Sequence, residues 1–142
     1  MKIKYTAHAT ASAGGRGKGH AETDDGKVSV SFSQPKEMGG DGGPGTNPDQ
    51  LFAVGYSACF LGAMHAAAGR EHKKLPEGAT VTADVSFADR EDNVGFAIVA
   101  ALTAKVPGMS VAEVDDLMKR AHDICPYSNL IRFPHEVELK AG

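Results

Sequence analysis

The two cysteines are the residues of this 142-residue chain best suited to covalent chemistry. Cys59 lies in a long apolar segment, Cys125 directly precedes a proline, and neither belongs to a Cys-x-x-Cys pattern. A thiolate is a nucleophile that oxidises reversibly to a sulfenic acid or a disulfide. Since the N-terminal segment lacks the apolar core of a secretion signal, we expect a reducing cytoplasm, where a permanent disulfide is disfavoured. The cysteines are therefore candidates for reactive rather than structural sulfur.

The two sulfurs have different predicted surroundings. A cysteine inside an apolar helix is normally a small hydrophobic residue with a raised pKa, so Cys59 needs a nearby cation to become reactive. Arg16, within a glycine-rich loop, is the natural candidate. Cys125 ends a predicted helix, where carbonyl oxygens disfavour a thiolate. Cys125 therefore suits a resolving role better than an attacking one.

Metal and phosphate sites have weaker support. His122 and Cys125 have the spacing of two ligands on one helical face, but the sequence holds no second pair with zinc-type spacing. The glycine-rich segment 39–45 lacks both the G-x-G-x-x-G and the G-K-[S/T] patterns. We therefore predict no metal and no cofactor, and we interpret the segment as a loop that caps a helix.

Composition indicates one domain over residues 1–142, with 42% apolar residues, 23% charged residues and a net charge of −3. Charges of both signs are scattered, so we predict neither a nucleic-acid nor a membrane partner. The apolar run 51–68 has the minimum length of a membrane span. Because it contains Ser57, His65 and two glycines, we interpret it as a buried helix of a soluble protein.

Strand-like alternation of apolar residues occurs at both ends of the chain and in its middle. The alternating sets are Ile3, Tyr5, Ala7 and Ala9; Val28, Val30 and Phe32; Val81, Ala83, Val85 and Phe87; Phe96, Ile98, Ala100, Leu102 and Ala104; Val137 and Leu139. The first two sets predict two N-terminal strands that flank the loop of Arg16. The next two predict a β-hairpin, and the last predicts a short final strand.

The apolar segment predicts a central helix. Asn47 is a suitable N-cap, Pro48 fits the first helical position, Gln50 can complete a capping box, and Gly69 suits the C′ position. The helix is apolar nearly all round, and one small chain offers few elements to cover it, so we expect a homodimer with this helix near the subunit contact. Small residues form a seam for close packing, namely Gly55, Ala58, Cys59, Gly62 and Ala66.

A second helix follows the hairpin. Ser110 and Glu113 form a capping box, and apolar residues keep helical spacing up to Cys125. Strands, helix, hairpin, helix and strand in this order predict an α+β fold of antiparallel sheets around the central helix.

Three segments closely resemble the organic hydroperoxide resistance proteins of the OsmC-like family, and the resemblance covers essentially the whole chain. The segments are 13–17 (AGGRG), 45–60 (GTNPDQLFAVGYSACF) and 125–129 (CPYSN). The resemblance implies a thiol peroxidase in which Arg16 activates the peroxidatic Cys59, Asp49 holds the arginine, and Cys125 resolves the intermediate. It also implies a dimer, a lipoyl-type dithiol reductant and a preference for alkyl or fatty-acid hydroperoxides.

One position departs from the family pattern, because Asp49 stands where the family usually has glutamate. Aspartate is one methylene shorter, so the arginine could be held less squarely or through water. A straight helix would also separate the Asp49 and Cys59 backbones by about 15 Å, at ~1.5 Å per residue. One guanidinium could hardly touch both residues across that distance. If Arg16 bridges them, the helix must bend, break or start later than its capping residues indicate. We therefore predict an irregularity between Gln50 and Ala58, and Gly55 is the position where it would cost least.

Apolar side chains close in sequence to Cys59 are the predicted substrate contacts: Phe52, Tyr56, Phe60 and Met38, with Met64 nearby. Two other functions remain open from the sequence. One is a redox sensor whose disulfide changes binding to a partner, and the other is a non-catalytic ligand-binding dimer in which both cysteines are packing residues.

Overall fold

The computed structural model of the chain describes residues 1–133 and 135–142. It has the predicted α+β architecture, with antiparallel sheets and α-helices. The chain divides into two compact units, residues 1–52 and 53–142, and the division falls inside the central helix between Phe52 and Ala53. The expectation of a single domain stays a prediction.

Residues 1–52 contain a three-stranded antiparallel sheet of β1 (Ala9–Ala13), β2 (Gly19–Thr23) and β3 (Ser29–Ser31) in sequence order. Phe32 follows β3, is buried, and pairs with Thr46 in a parallel bridge. The prediction of a strand beginning at Ile3 is wrong, because the strand begins at Ala9 and Ile3 is exposed. The sequence did not predict β2, which is largely polar and has no apolar alternation.

The central helix α1 spans Pro48–Arg70. Its start confirms the Asn47 cap: the Asn47 side-chain oxygen accepts from the Gln50 backbone N–H at 2.8 Å. The Gln50 side chain accepts from the Thr46 hydroxyl. The helix ends later than the sequence predicts, at Arg70, and His72 at φ 58° takes the C′ position expected for Gly69. The N–H groups of His72 and Lys73 close the last turn by donating to Gly69 and Ala68 carbonyls.

Only one face of α1 is buried. The buried residues of this face are Tyr56, Phe60, Ala63, Met64, Ala67 and Ala68. Val54, Ala58 and Gly62 lie on the opposite face and are exposed in the single chain. Helix α1 is long and apolar enough to cross a membrane, but one such helix is only weak evidence of a membrane span. Its buried aromatic face, which contacts α-helices of the same unit, supports a packed helix instead.

Residues 53–142 also contain the predicted hairpin and second helix. Strands β4 (Thr80–Asp89) and β5 (Phe96–Lys105) pair antiparallel. Helix α2 (Val111–Ile124) begins with the predicted capping box, since the Ser110 hydroxyl accepts from the Glu113 N–H and the Glu113 carboxylate accepts from the Ser110 N–H. The buried side of α2 carries Val114, Leu117 and Ala121.

The segment after α2 differs from the prediction. A short helix α3 (Pro126–Arg132) follows directly, with Cys125 as both the C-cap of α2 and the N-cap of α3. The predicted strand at Val137 and Leu139 is wrong: these side chains are 80% and 90% exposed, and residues 135–142 form no regular structure. Two alternating apolar residues are too few to bury a strand face.

Candidate active site

Arg16 lies in the tight turn between β1 and β2. The Gly19 N–H donates to the Gly15 carbonyl at 2.9 Å, and the Gly17 N–H donates to the Gly14 carbonyl at 3.3 Å. A Cβ at Gly19 would collide with the backbone oxygens of Gly15 and Ser12. The turn therefore requires glycine at position 19, and it fixes the backbone that carries the arginine.

Asp49 binds this arginine within residues 1–52. One nitrogen of Arg16, Nη2, donates to both carboxylate oxygens of Asp49, at 3.3 and 3.2 Å. The aspartate side chain is 11% exposed and the arginine side chain 37%. Asp49 also lies in the first turn of α1, where the helix dipole favours a negative charge. Aspartate thus reaches the guanidinium directly, but through one nitrogen rather than through the two-nitrogen fork.

The predicted irregularity in α1 is wrong. The helix is continuous from Pro48 to Arg70, and Gly55 adopts ordinary helical backbone. The missing Cβ of Gly55 serves a different purpose: one placed there would stand 2.6 Å from the Tyr127 hydroxyl oxygen and 3.2 Å from its ring. Gly55 therefore makes room for an aromatic ring rather than for a bend. Arg16 contacts Asp49 in this structure, and its action on Cys59 remains a prediction.

The two cysteines lie together within residues 53–142. The sulfur atoms of Cys59 and Cys125 are 3.3 Å apart, both as free thiols. Cys125 is fully buried, whereas Cys59 is partly exposed. Since the sulfurs of a disulfide stand about 2.05 Å apart, closure needs an approach of only about 1.2 Å. The chain therefore places two sulfurs where a disulfide can form and break.

The surroundings of the Cys59 thiol act on its pKa in opposite directions. Burial has the largest effect and raises the pKa, the Tyr127 backbone N–H lowers it by donating to the sulfur, and the Cys125 thiol raises it. The net direction is upward. In this dithiol arrangement the neutral thiol is favoured, so activation of Cys59 needs a further source of positive charge.

Aromatic side chains of α1 and α3 pack against one another in the same unit as the cysteines. The Tyr56 ring lies 5.8 Å from that of Tyr127 and 6.3 Å from that of Phe60, measured between centroids. The Tyr56 hydroxyl and the Ser128 hydroxyl form a buried hydrogen bond of 2.9 Å. Tyr127 and Ser128 belong to the segment 125–129 that carries the family resemblance, but the sequence assigns neither a role, because the helix α3 that places them was not predicted.

The predicted substrate contacts fall in both units. Met38 and Phe52 are half-buried in residues 1–52, whereas Tyr56 and Phe60 are buried in residues 53–142. The latter two border a cavity of about 290 Å³, which is also lined by Ala100, Leu102, Met118, Lys119 and His122. Their role toward substrate remains a prediction.

The metal hypothesis gains no support from the described part of the chain. Across residues 1–133 and 135–142, no three His, Cys, Asp or Glu side chains cluster in a way that could hold a metal ion. His122 instead packs its ring against Phe60 at 6.4 Å between centroids.

Comparison with known proteins decides the family. The model of the OsmC-like protein family matches residues 39–140. A curated organic hydroperoxide resistance protein of Xanthomonas axonopodis pv. citri is 47% identical over 138 residues, which cover 97% of this chain and 94% of that protein. The chain belongs to the OsmC-like family. This result confirms the resemblance that the three sequence segments indicated.

Solved structures of OsmC-like proteins share the fold. An organic hydroperoxide resistance protein from Legionella pneumophila matches with a TM-score of 0.83 at 40% identity, over 93% of each chain. Another, from Elizabethkingia anophelis, matches with a TM-score of 0.85 at 40% identity, over 94% of this chain and 93% of that one. The α+β fold of this OsmC-like chain is therefore that of crystallographically known relatives.

Proposed function

We propose that this OsmC-like protein reduces organic hydroperoxides to alcohols through Cys59 and Cys125. The observation that carries the proposal is the 3.3 Å approach of the two sulfurs, one partly exposed and one fully buried. Relatives at 47% and 35% identity bear the name organic hydroperoxide resistance protein. Partial exposure lets Cys59 meet a peroxide, whereas Cys125 is fully buried and lies beside Cys59.

The reaction proceeds in two steps. The Cys59 thiolate attacks the terminal oxygen of ROOH, the O–O bond breaks, and the products are a sulfenic acid and an alkoxide that takes up a proton to become the alcohol. The Cys125 thiol then attacks the sulfenic sulfur, the S–O bond breaks, and water leaves as the disulfide forms. An external dithiol, lipoyl-type by family resemblance, reduces the disulfide by exchange.

Arg16 supplies the positive charge that Cys59 needs. Burial raises the pKa of Cys59, and a guanidinium stays protonated at every physiological pH. Asp49 accepts from Nη2 of this guanidinium. A guanidinium carries several N–H donors in one plane, a geometry that can serve a carboxylate, a sulfur and a peroxide oxygen. Arg16 is thus the proposed activating cation, and Asp49 is the residue that positions it.

The working form is a cytoplasmic homodimer. In the single chain, exposed apolar side chains lie on one face of α1 and on β5, notably Val54, Phe96, Ile98 and Val99. A sheet of only two strands, as formed by β4 and β5, is marginal unless it packs against more protein. A second copy of the chain would cover such surface.

Steady-state turnover tests the proposed function. Wild-type protein with reduced lipoamide is expected to consume cumene hydroperoxide continuously, and to consume hydrogen peroxide more slowly because the predicted substrate contacts are apolar. The Cys59→Ser protein is the matched control for uncatalysed reaction. Consumption that stops after one equivalent despite reductant would indicate a redox sensor, and consumption no faster than the control would reject the peroxidase.

A further inference from the structure

A second contact accompanies the sulfur pair. The hydroxyl oxygens of Tyr56 and Ser128 form a hydrogen bond of 2.9 Å, and their residues are 3% and 0% exposed. Tyr56 precedes Cys59 by three residues on α1, and Ser128 follows Cys125 by three residues on α3. Helical residues three apart are neighbours on adjacent turns, so Tyr56 neighbours Cys59 on α1, and Ser128 lies in the first turn of α3, whose N-cap is Cys125.

We propose that Tyr56 and Ser128 are positioning residues that hold Cys125 within reach of Cys59 for disulfide closure. The functional part of this inference rests on the proposed peroxidase, in which that closure is the resolving step. Neither hydroxyl touches the reacting sulfurs in the proposed mechanism. Both act through the position of α3 relative to α1 within residues 53–142.

Burial makes this hydrogen bond resistant to separation. Moving the start of α3 away from α1 would break a hydrogen bond between two buried hydroxyls, which is costlier than breaking an exposed bond. The Tyr127 ring closes the same interface, because it stacks near Tyr56 and fills the space left by Gly55. Two contacts, the Tyr56–Ser128 hydrogen bond and the packing of Tyr127 on α1, therefore hold the first turn of α3, which begins at Cys125.

Positioning matters here because two reactions compete for the Cys59 sulfenic acid. In closure, the Cys125 sulfur bonds to the sulfenic sulfur, the S–O bond breaks, and hydroxide leaves with the thiol proton as water. In overoxidation, a second hydroperoxide transfers oxygen to the same sulfur and gives a sulfinic acid and an alcohol. Closure depends on where Cys125 lies, whereas overoxidation does not, so loosening the hydroxyl pair shifts the outcome toward sulfinic acid.

The kinetic test uses Ser128→Ala, Tyr56→Phe and the double variant, with Tyr5→Phe as matched control because Tyr5 is 79% exposed. Rapid mixing with cumene hydroperoxide measures first oxidation and disulfide closure separately. We expect the ratio of closure rate to first-oxidation rate to fall about 10- to 100-fold in each single variant, the effect of a displacement near 1 Å. The double variant should be no worse than either single variant, because both remove one interaction. An unchanged ratio, or two independent additive losses, would overturn the proposal.

A second measurement needs no peroxide. Equilibration with dithiothreitol gives the stability of the Cys59–Cys125 disulfide relative to its dithiol, which we expect to fall about 10-fold or more in the same variants but not in Tyr5→Phe. An equilibrium equal to wild type would reject the positioning role while leaving the peroxidase intact. If wild-type protein did not react with hydroperoxides, the proposed function would be rejected. The dithiothreitol equilibrium would still test whether the hydroxyl pair positions Cys125.

Discussion

At the residue scale, the main difference between the two cysteines is how much of each is exposed to solvent. Cys59 is partly exposed and receives the Tyr127 N–H, whereas Cys125 is sealed between α2 and α3. The sequence argument for Cys125 rested on the carbonyls at the end of α2, but the same residue also caps the start of α3. Burial is therefore the stronger reason to assign it the resolving role.

Substitution of each cysteine should separate the two steps. Cys59→Ser is expected to reduce peroxide consumption to the uncatalysed level, because the attacking sulfur is gone. Cys125→Ser should still consume the first equivalent and then accumulate sulfenic or sulfinic acid at Cys59, as seen by mass spectrometry. If Cys125→Ser were inert while Cys59→Ser reacted, the assigned roles would be reversed.

Arg16 should lower the pKa of Cys59 from the high value that burial favours. Removing the cation in Arg16→Ala destabilises the thiolate, so the pKa rises, the thiolate fraction at pH 7 falls, and peroxide attack slows by about tenfold per pKa unit. Raising the pH should restore much of the lost rate. Arg16→Lys should recover the reaction only in part, since an ammonium lacks the planar fork.

The pH profile of thiol alkylation measures this effect directly. Lys18→Ala is the matched control, because it removes a neighbouring positive charge from the same loop. An Arg16→Ala protein whose Cys59 titrates as in wild type would remove the arginine from the mechanism.

At the scale of elements, capping and periodicity predicted what depends on local interactions. The Asn47 cap, the Ser110–Glu113 box and the hairpin appear in the structure because a few neighbouring residues determine each one. The polar strand β2 and the short helix α3 depend on partners distant in sequence, so no local pattern predicts them. The predicted irregularity at Gly55 is wrong for the same reason, because the ring that occupies the space beside Gly55 belongs to the distant Tyr127.

Gly55→Ala should therefore destabilise the reduced protein. Alanine favours a helix by about 1 kcal/mol, but its Cβ would crowd Tyr127, and overpacking costs about 1–3 kcal/mol. Gly69→Ala on the same helix is the control, because a Cβ there meets no atom of the described chain within 4 Å. Urea denaturation should show a lower free energy of unfolding for Gly55→Ala than for wild type, and no decrease for Gly69→Ala. Equal stabilisation of both would contradict the packing role of Gly55.

At the scale of the whole molecule, the sequence predicted the α+β class and two pairs of candidate site residues, but not the other long-range contacts around them. Arg16 with Asp49 and Cys59 with Cys125 came from motif resemblance, and each pair is in contact. The Tyr56–Ser128 hydrogen bond joins residues 72 positions apart, and no spacing rule indicates such a contact. The apolar character of α1 on all faces was visible in the sequence, but one face is uncovered in the single chain.

That uncovered surface leads to a prediction of association. Sedimentation equilibrium at micromolar concentration should give twice the chain mass of 14.8 kDa, because the exposed apolar residues of α1 and β5 favour burial against a second copy. Dilution is the appropriate control for weak association. A species of one chain mass throughout the micromolar range would count against the homodimer.

The chemistry of a single oxidising equivalent tests the central claim most directly. Fully reduced protein is mixed with one equivalent of cumene hydroperoxide without reductant, and free thiols, alcohol and peptide masses are then determined. The account predicts one alcohol formed and both thiols lost for each equivalent, with Cys59 and Cys125 recovered as one disulfide-linked peptide pair two hydrogens lighter. Recovery of intact hydroperoxide with both thiols still free would contradict it.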